Sequence, residues 1–190
     1  MINESKDGVY YTYAMIKPDG MENISGILDL ILDSNLIIDK YQIDTLDEQI
    51  IEENYPHCVG KDFYEGMKNN LLSGLVLKMV LYDKEGNAVS KYRKILGNTN
   101  SLVADNGTIR NLYGNKEVSF KNAAHGSGNE KEAFDEIKRF FGEDALNYYS
   151  YLNYLNKNSA YDDDNYMLSS IYKYMKKEEI LNKHSLVKDK

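Results

Sequence analysis

The order of segments in this 190-residue chain predicts an α/β sandwich: a four-stranded antiparallel sheet covered by helices in the split β-α-β arrangement, followed by a helical C-terminal extension. Three observations carry that expectation. Short runs rich in β-branched and aromatic residues alternate with amphipathic runs at helical spacing. Gly, Asn and Asp turn signals separate them. After Gly142 the composition becomes Tyr-rich and then Lys-rich, and only helical patterns recur.

VYYTYAMI, residues 9–16, reads as a central strand that ends at the turn signal KPDG and so delivers Lys17 to its edge. In SGILDLILDS the residues Ile27, Leu28, Ile31 and Leu32 share one helical face, and LIIDKYQIDTL, residues 36–46, resumes strand character. DEQIIEENY and KDFYEGMKNNLL read as two short helices with a bend at Val59 and Gly60. GLVLKMVLYDKEGN is a strand closed by a turn, and AVSKYRKIL a short helix stopped by Gly97. From Gly97 to about Glu117 no periodicity is sustained, and a loop of that length in a compact domain is usually functional or disordered. Thr99, Gly107 and Arg110 favour a working loop. VSFKNAAHG then reads as the last strand. Residues 129–141 form a helix with Ala133, Ile137, Phe140 and Phe141 on one face, capped by Ser127 or Asn129 with Glu130 or Glu132 completing a capping box.

These elements assign residues 8–148 to one domain and 149–190 to the extension. In the second helical pattern of the extension, Met167, Ile171, Tyr174 and Met175 make a modest apolar stripe that can pack on the domain or on a neighbouring subunit.

A hydrophobic fraction of 42% over this length suffices for one buried core. The net charge of -7 argues against general nucleic-acid affinity, which needs an excess of Lys and Arg, but leaves room for a local basic pocket that holds a nucleotide. The single cysteine, Cys58, excludes an intrachain disulfide and a cysteine zinc cluster and fits a reducing, cytoplasmic setting. The opening MINESKDG is polar and no apolar run approaches the roughly 18 residues of a membrane span, so neither a secretory leader nor a membrane anchor is expected. His57 beside Cys58 reads as structural, Asp162–Asp164 as solvated loop acid without calcium-loop spacing, and His184 as a solvated tail residue.

The window with the most chemistry is NAAHGSGNEKEAF, residues 122–134, where one of 3 histidines, His125, sits among Ala123, Ala124 and Gly126. Such a residue is either a buried packing histidine or an exposed nucleophile. An imidazole with a pKa near ~6.5 is largely deprotonated at neutral pH and offers a lone pair.

Six blocks in order carry a resemblance: YAMIKPDG at 13–20, GKDFYEGM at 60–67, SGLVLKMV at 73–80, RKILGNTN at 93–100, NGTIRNLYG at 106–114 and NAAHGSGNEKEAFDEIKRFF at 122–141. Over residues 11–148 the sequence resembles the nucleoside diphosphate kinases. The resemblance implies a ferredoxin-like fold and transfer of the γ-phosphoryl of a nucleoside triphosphate such as ATP to a nucleoside diphosphate, through a phosphohistidine on His125. It implies that Glu136 orients the imidazole, that Ser127 supports Glu136, and that Tyr55 lies beside the histidine. Lys17 is implied to contact both ribose and phosphate, Arg93, Thr99 and Arg110 the phosphates, Asn122 the ribose hydroxyl, and Phe63 the stacked base. Magnesium is implied to arrive on the nucleotide phosphates without a protein metal site, and a hexameric or tetrameric homo-oligomer is implied.

The chain departs from the pattern at Gly128, where an aspartate is usual, at Ser101 and Asn106, where prolines are usual, and at Arg110–Tyr113. Two missing prolines should loosen the loop. A nucleotide-binding or regulatory protein with weakened catalysis on the same fold is the competing reading. The retained set His125, Lys17, Arg93, Arg110, Asn122 and Glu136 favours the enzyme.

Overall fold

A computed structural model describes residues 8–158 and 170–188. Its sheet has four strands in the order β2-β3-β1-β4, all antiparallel: β1 (Tyr11–Ile16), β2 (Ile37–Asp44), β3 (Val76–Tyr82) and β4 (Ala124–Gly126). Strands β1 and β3 lie in the middle and every one of their residues is buried, which explains their near-continuous apolar sequence. The helices are α1 (Ile24–Asp33), α2 (Glu48–Asn54), α3 (Tyr64–Leu72), α4 (Ala88–Leu96), α5 (Ile109–Tyr113), α6 (Glu130–Phe141), α7 (Glu143–Asn158) and α8 (Ser170–Lys188).

Two cores flank the sheet. On one face α1 and α4 bury Ile27, Leu28, Ile31, Tyr92 and Leu96 against Ile16, Leu77 and Met79. On the other, α3, α6 and α7 contribute Met67, Leu71, Ile137, Phe140 and Tyr149 against Tyr13, Met15 and Val80. Alternation along β1 sends Ala14 and Ile16 to the first core and Tyr13 and Met15 to the second.

Two expected segments take other forms. The last strand shortens to three residues. Asn115 Oδ1 accepts from the backbone of Glu117 and Val118, Lys121 N–H bonds back to Val118, and Ala123 adopts a left-handed φ of 64°, so the chain before β4 turns instead of extending. The aperiodic 97–117 segment folds into a 3-10 turn at Ser101–Val103 and the short α5, whose N-cap Thr108 accepts from Asn111. Lys116 Nζ braces it by donating to the carbonyls of Ser101 and Asn111 at 2.9 and 2.5 Å. Asn129, not Ser127, caps α6 by accepting from Glu132 N–H at 2.9 Å, which frees Ser127 for the site.

The extension packs on its own domain. From α7, Tyr149 donates to Asp39 of the edge strand β2 at 2.5 Å. From α8, Lys177 pairs with Asp29 of α1 at 2.6 Å, Glu179 accepts from Tyr41 of β2 at 2.6 Å, and Ile180 is fully buried in the first core. Among the described side chains of α8, Ile180 is the apolar anchor. Met175 is exposed, while Met167, the side chains of Ile171 and Tyr174, and the Asp162–Asp164 run lie outside the described residues. His184 is half-buried on α8.

Candidate active site

His125 is the middle residue of β4, opposite Met15 of β1, at the edge of the sheet. Its small neighbours have a packing reason: a Cβ on Gly126 would stand 2.5 Å from the ring of Tyr92, so only glycine lets β4 lie this close to α4. The imidazole keeps 19% of its surface exposed. Its Nε2 lies 2.6 Å from Glu136 Oε1. On the second turn of α6, Glu136 is buried and receives three side chains: His125, Asn54 Nδ2 at 3.1 Å on the same oxygen, and Ser127 Oγ at 2.5 Å on the other. Burial alone would raise this carboxyl. The facing His125, with the Ser127 and Asn54 hydrogen bonds, outweighs it and holds the group below its ordinary range. An ionised carboxylate can only accept, so Nε2 carries the proton and Nδ1 keeps the lone pair. Tyr55 sets its ring edge-on to the imidazole at 5.5 Å between centroids.

Across from this pair the loop between β1 and α1 and the helices α4 and α5 supply cations. Lys17, 5% exposed, donates to Asn122 Oδ1 at 2.9 Å and to the carbonyl of Phe120. Burial, reinforced by Arg110 and partly offset by Asp19, lowers its ammonium to about 8. Asn122 in turn donates to the carbonyl of Thr99 at 2.9 Å, joining the β4 side to the loop. Arg110, on α5, is buried and forks onto the carbonyl of Ala124, the carbonyl of Gly97 and the hydroxyl of Thr99. Its guanidinium is lowered to about 10 by burial, with Tyr92 pulling up and Arg93 pushing down, so it stays charged at neutral pH. Arg93, on α4, is exposed and makes no ion pair with any described residue. A buried arginine bonded to neutral carbonyls and a second arginine without a carboxylate leave two positive charges for an anion.

All these groups open onto one cleft of about 820 Å³. Of the ten residues singled out in the sequence, nine line it: Lys17, Tyr55, Phe63, Arg93, Thr99, Arg110, Asn122, His125 and Glu136. The tenth, Ser127, sits behind Glu136. Phe63, just before α3, is 43% exposed, an aromatic face at the rim where a flat group can stack. Sequence reasoning missed Asn54, Arg139, Phe120 and Asp19. Arg139 falls one turn after Glu136 on the same helix face, a readable spacing, whereas nothing local links Asn54 or Phe120 to the site. His57 and Cys58 form part of the wall, and burial raises the Cys58 thiol, with Lys61 acting against it. Among the described residues no three His, Cys, Asp or Glu side chains gather to hold a metal ion, and Gly128 directs its N–H to Glu132 at 2.8 Å.

A histidine with a carboxylate on one nitrogen and a lone pair on the other, facing unneutralised arginines and a buried lysine, defines a phosphotransferase site on a four-stranded α/β sandwich. The model of one family, nucleoside diphosphate kinase, matches residues 11–146. The chain is 37% identical over 140 residues to a nucleoside diphosphate kinase of Listeria monocytogenes, covering 72% of this chain and 92% of the relative. It is 36% identical over 136 residues to that of Encephalitozoon cuniculi, covering 70% and 90%. Among solved structures, the apo nucleoside diphosphate kinase of Encephalitozoon cuniculi superposes with a TM-score of 0.66 at 34% identity, covering 72% of this chain and 92% of that one. The enzyme of Halobacterium salinarum in complex with CDP gives 0.64 at 31%, covering 71% and 89%. The chain belongs to the nucleoside diphosphate kinase family.

Proposed function

We propose that this chain moves the γ-phosphoryl of a nucleoside triphosphate, ATP among them, to a nucleoside diphosphate by way of a phosphohistidine at Nδ1 of His125. The observation that carries the reading is the 2.6 Å contact of Glu136 with Nε2, which leaves Nδ1 as the nucleophilic nitrogen. In the first half-reaction the Nδ1 lone pair forms a bond to the γ-phosphorus, the bond from that phosphorus to the β,γ-bridging oxygen breaks, and the diphosphate leaves with the electron pair. The imidazolium that develops is stabilised by the Glu136 carboxylate, with Ser127 holding its second oxygen. In the second half a terminal oxygen of another diphosphate attacks the same phosphorus and the ring recovers its lone pair.

Little covalent work falls to the remaining side chains, which position phosphates and offset charge. Arg93 and Arg110 hold phosphate oxygens and Thr99 donates a hydroxyl. Lys17 bridges phosphate and ribose, Asn122 takes the ribose hydroxyl, Tyr55 walls the imidazole, and Phe63 stacks on the base. A π-face contact accepts every base. The described residues do not fit a resident metal, so magnesium belongs to the substrate as the counter-ion of its phosphates.

Residues 8–148 form the kinase domain and 149–190 an extension to it, and the chain assembles as a hexamer or tetramer of identical subunits in the cytoplasm. No helix of the described residues is long and apolar enough to cross a membrane.

Incubation with γ-labelled ATP and magnesium should give acid-labile, base-stable label that a different diphosphate removes. Absence of label, or a His125→Gln variant that labels like wild type, sinks the reading.

A further inference from the structure

We infer that Arg139 and Asn54 form a positioning relay that fixes the tautomer of His125 through Glu136, an inference that rests on His125 being the nucleophile. Arg139 Nη1 donates to Asn54 Oδ1 at 2.6 Å, Asn54 Nδ2 donates to Glu136 Oε1 at 3.1 Å, and that same oxygen receives His125 Nε2 at 2.6 Å. The three links bring together the end of α2, two successive turns of α6 and the edge strand β4.

The direction of the relay follows from donor and acceptor chemistry. A guanidinium has donors only, so Arg139 must face the carbonyl end of the Asn54 amide. That turns the amide nitrogen toward Glu136. Without Arg139 either end of the amide can face the carboxylate, and the wrong end sets two acceptors against each other. Arg139 thereby selects the one orientation of Asn54 that donates to Oε1. With a second donor on it, Oε1 is held in line with the ring, and the carboxylate stays ionised so that Nε2 keeps its proton. Ser127 secures only the other oxygen and leaves rotation about the carboxyl axis unopposed. Both relay residues reach the cleft wall, so a direct contact of Arg139 with a phosphate is the alternative that the test must separate.

Three variants do so: Arg139→Met keeps the stem without donors, Arg139→Lys restores one donor, and Asn54→Ala removes the middle link. In the resting protein, ¹⁵N shifts of labelled histidine report the tautomer whether or not the enzyme turns over. Wild type and Arg139→Lys should show Nε2 protonated, and Arg139→Met a mixture. In single-turnover labelling Arg139→Met and Asn54→Ala should each slow phosphorylation of His125 roughly ten-fold with ATP affinity unchanged, and the double variant should be no slower than Asn54→Ala alone. An unchanged tautomer in Arg139→Met, additive losses in the double variant, or a loss of ATP affinity that Arg139→Lys repairs would each overturn the relay. A wild-type protein that takes up no label while its tautomer still depends on Arg139 fails the kinase reading and leaves the relay standing.

Discussion

Asp19 Oδ2 accepts the backbone N–H of Ala123 at 2.8 Å, two residues before His125. Ala123 is fully buried and holds a left-handed φ of 64°, a conformation that costs a residue with a side chain about 1–2 kcal/mol. The acid of the first turn thus holds the kink from which β4 launches His125. Gly20, next to it, permits the approach, because a Cβ there would lie 2.3 Å from the carbonyl of Ala123.

Asp19→Ala should therefore destabilise the protein by about 1–3 kcal/mol, the cost of an orphaned buried N–H, measurable as a lower urea midpoint. Asn70 loses its 2.7 Å partner in the same variant. The effect on His125 phosphorylation should exceed that of an equally destabilising substitution in the distant core, since the launch angle of β4 changes.

Glu136 titrates below its usual range in the folded protein. Its ionised form is favoured by folding, so the stabilisation is complete above the ordinary carboxyl value of 4.5 and disappears as pH falls through the lower folded value. Glu136→Gln should show a shallower acid loss of stability below about pH 4.5 than wild type, read from urea titrations at a series of pH values, and should label His125 more slowly at pH 7. Parallel acid limbs in the two proteins would contradict the lowered carboxyl of Glu136.

Lys17 is lowered too, but in a base a lowered value disfavours the charged form. Burial lowers it to about 8 from 10.5, so between those values the folded protein binds fewer protons than the unfolded chain and the contribution of this group to stability rises with pH. A phosphate placed beside it favours the ammonium again. Nucleotide binding above about pH 8 should then take up a proton and weaken as pH rises, which calorimetry in two buffers of different ionisation enthalpy will detect. Lys17→Met should abolish both the proton uptake and the rise in stability.

Ile180 is the fully buried anchor of α8 on α1 and β2. Ile180→Ala should cost about 2–4 kcal/mol if the helix stays docked and less if it detaches. Hydrogen exchange distinguishes the two outcomes, and in both the rate of His125 phosphorylation should stay near wild type, because no described side chain of α8 lines the cleft.

The strands β1 and β3, the helical faces of α1 and α6, and the residues of the histidine window were legible because each depends on local pattern: aromatic and β-branched runs for a central strand, the 3.6-residue repeat for a helix, small residues around an imidazole. The roles of Lys17, Arg110 and Asn122 came from block order and not from their own surroundings, where each could equally have been a surface residue. Tertiary structure alone decided the rest. The VSFKNAAHG run has strand propensity, yet Asn115 captures the backbone donors of Glu117 and Val118 at its start and Ala123 reverses it, because a short β4 must meet both β1 and Asp19. Asn54 and Arg139 are 85 positions apart and become partners only when α2 and α6 pack on one face of the sheet. Periodicity records which side of an element is apolar, and composition records what chemistry is available. Which donor meets which acceptor across 85 residues is set by packing, where a buried polar group without a partner is too costly to keep.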